Sequence, residues 1–223
     1  MRAGTMVIVF ARAPQPGRVK TRLVPRLGGW GSARLHRRLV GRTLGVAQAA
    51  RCGPVELHGA PRARHAFFLR CVRGLDITLR NQRGGDLGAR MFNAFAAGLR
   101  RQRAVILVGT DCPALEARDL RRAARALAGG SDAVLAPAED GGYPLIGLRR
   151  ASRRVFEGID WGGADVFART AEALDRLGWR WRRLRTLWDV DRPEDLTRLD
   201  ELKQRRRFTC GWETGAKRAT CRR

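Results

Sequence analysis

Residues 104–113, AVILVGTDCP, join an unbroken run of five apolar residues to a Gly-Thr-Asp turn. A short apolar run of this kind is typical of a strand buried on both faces, as in a parallel sheet covered by helices. Pro113 has no backbone N–H, so the ladder of strand hydrogen bonds cannot continue through it. The pattern predicts a central strand that ends near Asp111, at the edge where open α/β sheets bind their ligands.

Asp111 has two interpretations at this position. A carboxylate with no adjacent base suits a hard cation such as Mg²⁺, which in turn carries a phosphorylated substrate. The alternative is that Asp111 only caps a helix that begins near Ala114. The spacing alone leaves both interpretations open.

Strand-like and helix-like patterns alternate along residues 1–202, and no change in composition marks a linker within them. This alternation predicts one α/β domain of three layers, α/β/α, around a mixed and mostly parallel sheet. Residues 203–223 are basic and lack apolar periodicity, so we expect a disordered tail there. The predicted strands are residues 6–11, 54–58, 75–79, 104–108, 132–136, 143–148 and 179–187.

Composition and short motifs argue against several classes of protein. The longest apolar run near the start, residues 6–11, is too short for a signal-peptide core or a membrane span, which predicts a cytoplasmic protein. The five cysteines form no C-x-x-C pair, and the three histidines have no zinc-ligand spacing. The nucleophile elbow and the P-loop motif are also missing from the sequence, which disfavours the enzyme classes that depend on them.

The formal net charge of +24 at first favours a nucleic-acid-binding protein. The distribution of the charge argues against this. The 45 basic residues include three lysines, and the arginines are spread over every predicted helix rather than over one face. No recognised nucleic-acid module with interleaved aromatic residues is present. We therefore expect polyanion binding at low salt but no specific nucleic-acid partner.

A cationic loop follows the first predicted strand. Residues 11–23, ARAPQPGRVKTRL, contain two prolines and a glycine, which disfavour a helix. Lys20 is the most informative residue of this loop, because it is the only lysine before residue 203. A compact ammonium suits a diphosphate where a planar guanidinium does not, although an ordinary solvated lysine is the alternative. The predicted phosphate-binding residues are Arg12, Arg18, Lys20 and Arg22.

A glycine-containing turn precedes a further predicted helix. Gln82, Gly84 and Gly85 lie just before a helix predicted to begin at Asp86. The start of a helix can hold an anion or the edge of a base. We therefore assign Gln82 and Asp86 to nucleotide binding, and Asp86 is also the predicted helix cap.

Two further pairs of carboxylates lie near the ends of predicted elements. Glu139 and Asp140 precede a Gly-Gly turn and a strand, and the glycines allow a ligand to approach the backbone closely. The alternative is an acidic hairpin turn. Asp189 and Asp191 lie just before a helix predicted to start at Pro193, which Asp191 alternatively caps.

Six stretches of the chain carry a resemblance to a known family, namely residues 10–23, 85–91, 107–115, 136–148, 158–166 and 189–196. In this order they resemble the DUF2064 family of GT-A-type transferases, also called arsenosugar-biosynthesis or selenodomain-associated glycosyltransferases. This family belongs to the nucleotide-diphospho-sugar transferase superfamily, and its relatives include the 2-phospholactate and molybdenum-cofactor guanylyltransferases. The chain departs from the family pattern at Pro144, where a second aromatic residue is usual, and at Gly163, where Ser or Thr is frequent.

The resemblance implies a GT-A fold and dependence on Mg²⁺ or Mn²⁺. It implies that Arg12, Lys20 and Arg22 bind nucleotide phosphates. It also implies that Asp111 is a metal ligand, with Asp189 or Asp191 as the second carboxylate. The sugar or acceptor side of the site then comprises Asp140, Gly141, Gly142, Tyr143 and Trp161.

Three functions remain as hypotheses. The leading one is a metal-dependent glycosyltransferase that uses a nucleotide-activated sugar and a small-molecule acceptor, with Asp111, Asp140 and Lys20 as catalytic residues. The second is a nucleotidyltransferase that acts on a phosphorylated acceptor and releases pyrophosphate. The third is a non-catalytic protein that binds nucleotides or polyanions.

Overall fold

A computed structural model describes residues 3–206 and places seven strands, six α-helices and two short 3₁₀ helices in that range. The strands are β1 (Ala3–Arg12), β2 (Val55–Ala60), β3 (Ile77–Asn81), β4 (Gln102–Val108), β5 (Ala133–Ala136), β6 (Leu145–Leu148) and β7 (Trp181–Arg183). The helices are α1 (Val24–Ala50), α2 (Ala66–Val72), α3 (Leu87–Leu99), α4 (Ala117–Ala128), α5 (Val166–Arg176) and α6 (Asp195–Arg206), and the 3₁₀ helices span Thr21–Leu23 and Arg153–Val155.

The seven strands form a single mixed sheet in the order β3-β2-β1-β4-β6-β5-β7. Strand β6 runs antiparallel to both of its neighbours, β4 and β5, and every other pairing is parallel. The predicted α/β fold with a mixed, mostly parallel sheet is therefore confirmed. Because β1 and β4 are parallel neighbours at the centre, the loops that follow them emerge side by side at one edge.

Helices cover both faces of the sheet, so the side chains on both faces of the central strands are buried. Successive residues of a strand point to opposite faces. Val7 and Val9 of β1 therefore join a core with α1 and α4, whereas Ile8 and Phe10 join a second core with α3 and α5. The middle strands are buried throughout, which explains why their sequences are apolar without alternation.

The observed elements differ from the predicted ones at several boundaries, most of all at the first helix and the last strand. The helical spacing of apolar residues predicts a first helix over residues 30–50, but α1 begins at Val24, and Gly28 interrupts it with non-helical angles of φ 68° and ψ 166°. The last strand was expected over residues 179–187, but the regular ladder with the edge neighbour β5 covers only Trp181–Arg183. Beyond it, Leu187 forms an isolated parallel bridge with Ala138, so the pairing along this edge is interrupted rather than continuous.

The C-terminal boundary is described only in part. Helix α6 continues to Arg206, four residues into the segment that we expected to be a tail. Residues 207–223, which make up the rest of that segment, lie outside the described residues. Among residues 3–206, no helix combines the length and the apolar character needed to cross a bilayer.

A buried acid on β2 forms a network remote from the cleft described below. Glu56 is 2 % exposed and accepts hydrogen bonds from His58 (2.9 Å), Arg80 (2.8 Å) and Arg101 (2.6 Å). Burial alone would raise the pKa of Glu56, but these three hydrogen bonds outweigh it and hold the pKa below its ordinary value. Glu56 is therefore ionised in the folded state even in moderately acidic solution.

We expect Glu56→Gln to lower the free energy of unfolding by about 2 kcal/mol at neutral pH, because hydrogen bonds to a charged group contribute roughly that much. The pKa of Glu56 in the folded state lies below its value of about 4.3 in the unfolded state. The ionised Glu56 therefore stabilises the fold fully above about pH 4.3, and this stabilisation is lost as the pH falls toward the folded-state pKa. Urea unfolding at about pH 7 and about pH 3 checks this. An equal difference between variant and wild type at both pH values would contradict it.

Candidate active site

A cleft of about 660 Å³ opens where β1 and β4 end. Four segments meet around it, namely the cationic loop after β1, the turn after β4, the turn before β6 and the segment before α6. Two more segments, the start of α3 and the loop before α5, close it on the apolar side. Of the predicted site residues, the cleft is lined by Arg12, Arg18, Lys20, Arg22, Asp111, Asp140, Gly142, Tyr143, Trp161, Asp189 and Asp191.

Lys20 lies at the centre of the charged half of this cleft. Its side chain is 3 % exposed, and Nζ lies 3.0 Å from Asp111 Oδ1 and 3.9 Å from Asp191 Oδ1. Its backbone adopts a left-handed conformation (φ 50°, ψ 46°), which is unusual for a residue other than glycine. Lys20 is therefore a buried, ion-paired residue rather than an ordinary solvated lysine.

Asp111 does not cap a helix. Helix α4 begins later, at Ala117, and its capping box is formed by Glu116 and Asp119. Asp111 instead directs its carboxylate toward Lys20, while its backbone carbonyl accepts a hydrogen bond from Val190 N at 2.9 Å. That backbone contact fixes the segment before α6 beside the end of β4.

Asp189 and Asp191 have different environments. Arg22 Nη1 donates to Asp191 Oδ2 at 2.6 Å. Asp191 is not the cap of α6 either, because α6 begins four residues later, at Asp195, and the Asp191 carboxylate is bound by Arg22. Asp189 is mostly buried, and burial together with the nearby Asp111 and Asp140 charges raises its pKa to about 7. The Lys20 charge lowers this pKa only in part, and Asp189 makes no direct ion pair within residues 3–206.

The carboxylates of Asp111 and Asp189 fit a divalent cation that is completed by substrate. Within residues 3–206, no three His, Cys, Asp or Glu side chains form a ready-made metal-binding group. Mg²⁺ is usually bound by one or two carboxylates together with waters and substrate phosphates, so such a group is not required. Asp111 Oδ1 is buried and pairs with Lys20 Nζ, whereas Asp189 Oδ1 is buried and has no hydrogen-bond partner in the described part of the chain. Two oxygen donors of this kind suit a hard cation.

The turn before β6 is tightly held against the loop before α5. Asp140 Oδ1 accepts the backbone N–H of Gly142 at 3.0 Å. Gly141 has φ 88°, and a Cβ atom there would lie 1.7 Å from the carbonyl oxygen of Ala164. The turn connects the antiparallel strands β5 and β6, so the hairpin interpretation is correct, yet Asp140 also faces the cleft.

Tyr143 and Trp161 form an aromatic wall. Their ring centroids are 6.5 Å apart in an edge-to-face arrangement. Thr170 Oγ1 lies 2.8 Å from the carbonyl oxygen of Val166 and 3.3 Å from the Tyr143 hydroxyl oxygen. A threonine hydroxyl has one proton, so if Thr170 donates to that carbonyl, the Tyr143 hydroxyl donates to Thr170. The hydroxyl of Tyr143 is thus engaged by α5, and its ring forms the apolar side of the cleft.

Two predicted nucleotide-binding residues, Gln82 and Asp86, lie outside the cleft lining. Gln82 Nε2 donates to the backbone carbonyls of Ala11 (3.2 Å) and His58 (2.9 Å), which fastens the end of β3 to β1 and β2. Asp86 caps α3 and accepts the N–H of Ala89 at 2.7 Å, as predicted. The contacts of both side chains are therefore structural, and their role in nucleotide binding stays a prediction.

Sequence reasoning missed two polar residues of the cleft, Thr21 and His36. His36, on α1, is 4 % exposed and lines the cleft near Asp111. The available signal was its helical spacing, which places an imidazole on the same buried face as Leu39 and Val40. That signal did not indicate what His36 faces, because Asp111 lies far away in sequence.

Comparison with known proteins supports a family assignment. The family model described as "Uncharacterized protein conserved in bacteria (DUF2064)" matches residues 43–163. A crystal structure of a protein from Desulfovibrio desulfuricans G20, described provisionally as a nucleotide-diphospho-sugar transferase, is similar with a TM-score of 0.83 and 31% sequence identity. The similarity covers 92% of this chain and 90% of that chain. A comparison with curated proteins found no match.

More distant solved structures share the fold alone. The 4-diphosphocytidyl-2C-methyl-D-erythritol synthase gives a TM-score of 0.61 at 11% identity, over 91% of this chain and 99% of that chain. A Mycobacterium tuberculosis H37Rv protein crystallised with manganese gives 0.53 at 21% identity, over 90% and 100%. The family model spans more than half of the sequence, and the Desulfovibrio protein matches nearly all of it, so the chain belongs to the DUF2064 family.

Proposed function

We propose that this protein is a divalent-metal-dependent glycosyltransferase that takes a nucleotide-activated sugar as donor and a small molecule as acceptor. The observation that carries the proposal is the pair of carboxylates in the cleft, Asp111 and Asp189, each with a buried oxygen. Lys20 of the cationic loop pairs with Asp111 Oδ1, and Asp189 Oδ1 has no hydrogen-bond partner among residues 3–206. A site with separated acids and cations suits a diphosphate group that is bridged to the protein by a metal ion. The similar Desulfovibrio protein, described as a transferase of nucleotide-diphospho-sugars, is consistent with this substrate class.

In this proposal the cationic loop binds the diphosphate. Lys20 supplies a compact positive charge from the floor of the cleft, while Arg12 and Arg18 reach it from the exposed rim. Arg22 is tied to Asp191 and holds that carboxylate away from the reacting groups. A metal ion bound by Asp111 and Asp189 would neutralise charge that develops on the departing nucleoside diphosphate.

The acceptor then approaches from the turn before β6. Asp140 faces the cleft, whereas its neighbour Glu139 is bound by Arg198 through two contacts of 2.6 and 2.9 Å. Asp140 is therefore the better candidate for the group that takes a proton from an attacking acceptor. Tyr143 and Trp161 provide ring faces on which a sugar or acceptor can rest.

Nucleotidyl transfer is the second candidate, because it needs the same acids and cations. The solved structures that share this fold include the diphosphocytidyl-methylerythritol synthase and a nucleotidyl transferase from an archaeon. In that reaction a phosphorylated acceptor attacks the α-phosphate of a nucleoside triphosphate and pyrophosphate leaves. Only this candidate releases pyrophosphate.

A thermal-shift panel should separate the candidates. UDP-, GDP- and dTDP-sugars are compared with GTP, CTP and ATP, each with Mg²⁺, Mn²⁺ or EDTA. We expect one nucleotide sugar to stabilise the protein in a metal-dependent manner, because a ligand at about 100 times its Kd adds about 2.7 kcal/mol to folding. Stabilisation by one triphosphate alone, with pyrophosphate as product, would favour the second candidate. Equal shifts with every polyanion, unaffected by EDTA, would contradict a metal site.

We expect Asp111→Asn to abolish the metal-dependent part of the shift and to lower kcat/KM by a factor of about 10² or more, since one ligand of the cation is lost. The matched control is Asp191→Asn, which removes a carboxylate that is already paired with Arg22. The control should retain most of the metal-dependent shift. The same loss in both variants would place the metal on Asp191 rather than on Asp189.

We expect Lys20→Met to bind the nucleotide diphosphate about tenfold or more weakly, because a buried ammonium is lost from the diphosphate site. The same variant leaves Asp111 without its 3.0 Å partner, so Mn²⁺ alone should stabilise it more than it stabilises the wild type. Arg18→Met removes a cation from the exposed rim of the same cleft and serves as the control. Thermal shifts with Mn²⁺ and with nucleotide, measured separately, check both effects. An identical response of the two variants would contradict a special role for Lys20.

A further inference from the structure

His36 is held in a defined orientation by the loop after β1. Its Nε2 lies 3.0 Å from the backbone carbonyl oxygen of Arg12. A carbonyl oxygen only accepts hydrogen bonds, so Nε2 carries the proton of this contact. The neutral ring has one N–H, so a proton on Nε2 leaves Nδ1 unprotonated. In that state Nδ1 carries a lone pair and can only accept.

The lone pair of His36 has no partner in the described part of the chain. Nδ1 is buried, and neither the Lys20 ammonium nor any other donor among residues 3–206 hydrogen-bonds to it. Asp111 Oδ1 lies 3.9 Å away, where its ion-pair partner is Lys20 Nζ at 3.0 Å. Leaving a buried polar atom unpaired costs about 1–3 kcal/mol, so the arrangement calls for a bound group between the two atoms.

The distance between these two atoms indicates what that group is. A separation of 3.9 Å exceeds a direct hydrogen bond, and two acceptors cannot bond to each other. One water molecule can donate to both atoms across such a gap. Because Asp111 is the proposed ligand of the cation, a water in this position also lies where the cation's own hydration shell is expected.

We propose that His36 is a positioning residue of the cation site, whose Nδ1 accepts a hydrogen bond from a water carried by the divalent cation on Asp111. This inference rests on the proposed metal-dependent function. Groups of this kind orient the ligands of a metal without touching it, and their loss typically weakens metal binding or activity by about 10- to 100-fold. A purely structural histidine would need only the Nε2 contact to Arg12.

Two substitutions separate the two ends of the imidazole. His36→Gln places an amide N–H near the position of Nε2, so it can keep the hydrogen bond to Arg12 but loses the acceptor at Nδ1. His36→Asn places an oxygen near the position of Nδ1 and loses the donor to Arg12. We expect His36→Gln to keep a melting temperature close to that of the wild type and to bind Mn²⁺ about tenfold more weakly. His36→Asn should melt at a lower temperature and keep Mn²⁺ binding within about threefold of the wild type.

The readout is the amount of free Mn²⁺ in a titration followed by electron paramagnetic resonance, with Mn²⁺ alone as the ligand. Wild-type affinity in His36→Gln would overturn the inference. Asp111→Asn in the same titration tests the metal site itself. If Asp111→Asn binds Mn²⁺ as the wild type does, the proposed metal site fails. If only Asp111→Asn is impaired, the role of His36 fails and the metal site stands.

A second measurement reports on His36 directly, since the chain has only three histidines. His58 is bonded to Glu56, and His65 Nδ1 accepts the N–H of Phe67, so each has a partner that His36 Nδ1 lacks. In long-range ¹H–¹⁵N spectra we expect Mg²⁺ to shift the His36 Nδ1 resonance by the modest amount typical of a hydrogen bond, while the other two histidines stay unchanged. An unchanged His36 resonance at saturating Mg²⁺ would overturn the inference, as would a shift typical of direct coordination.

Discussion

The buried ammonium of Lys20 connects three segments that are distant in sequence. It lies at the end of the loop after β1 and meets Asp111 after β4 and Asp191 before α6. A left-handed backbone and a desolvated charge are both unfavourable, and a buried ion pair by itself is weak support for stability. Such a residue persists where it serves a purpose that a hydrophobic side chain could not serve. Lys20 lies among carboxylates in a cleft, so the property that a hydrophobic side chain could not replace there is its positive charge.

The topology explains why the acids converge. β1 and β4 are parallel neighbours, so their following loops lie side by side. β6 is antiparallel to β4, and Leu145 at its start pairs with Val108 at the end of β4. The turn that carries Asp140 therefore precedes its strand in sequence but lies at the same edge of the sheet. A fully parallel sheet would have placed that turn at the opposite edge.

The sequence was most informative where a residue departed from its surroundings. Asp111 after a buried apolar run and Lys20 in an arginine-rich chain both stood out, and both line the cleft. His36 did not stand out, because Asp111, which lies 3.9 Å from its Nδ1, follows β4 far along the chain, and only the packing of α1 against the sheet brings the two residues together. Gln82 resembled a ligand-binding residue by position, although its amide is bonded to the backbone of β1 and β2. Periodicity cannot distinguish a polar side chain that supports the sheet from one that faces a substrate.

The cleft gathers acidic side chains in a protein whose net charge is strongly positive. The chain has a formal net charge of +24, yet four aspartates, Asp111, Asp140, Asp189 and Asp191, line one cleft. Arg22 neutralises one of them and Lys20 pairs with another, whereas Asp189 is left with a pKa raised to about 7 by its burial and its acidic neighbours. Arg12, Arg18, Lys20 and Arg22 line the same cleft, so the four aspartates offset the four cations there and leave no excess of positive charge to hold a polyanion. In the proposed function, a divalent cation would supply the missing positive charge, and the site would favour an anion that binds together with a metal ion over polyanions in general.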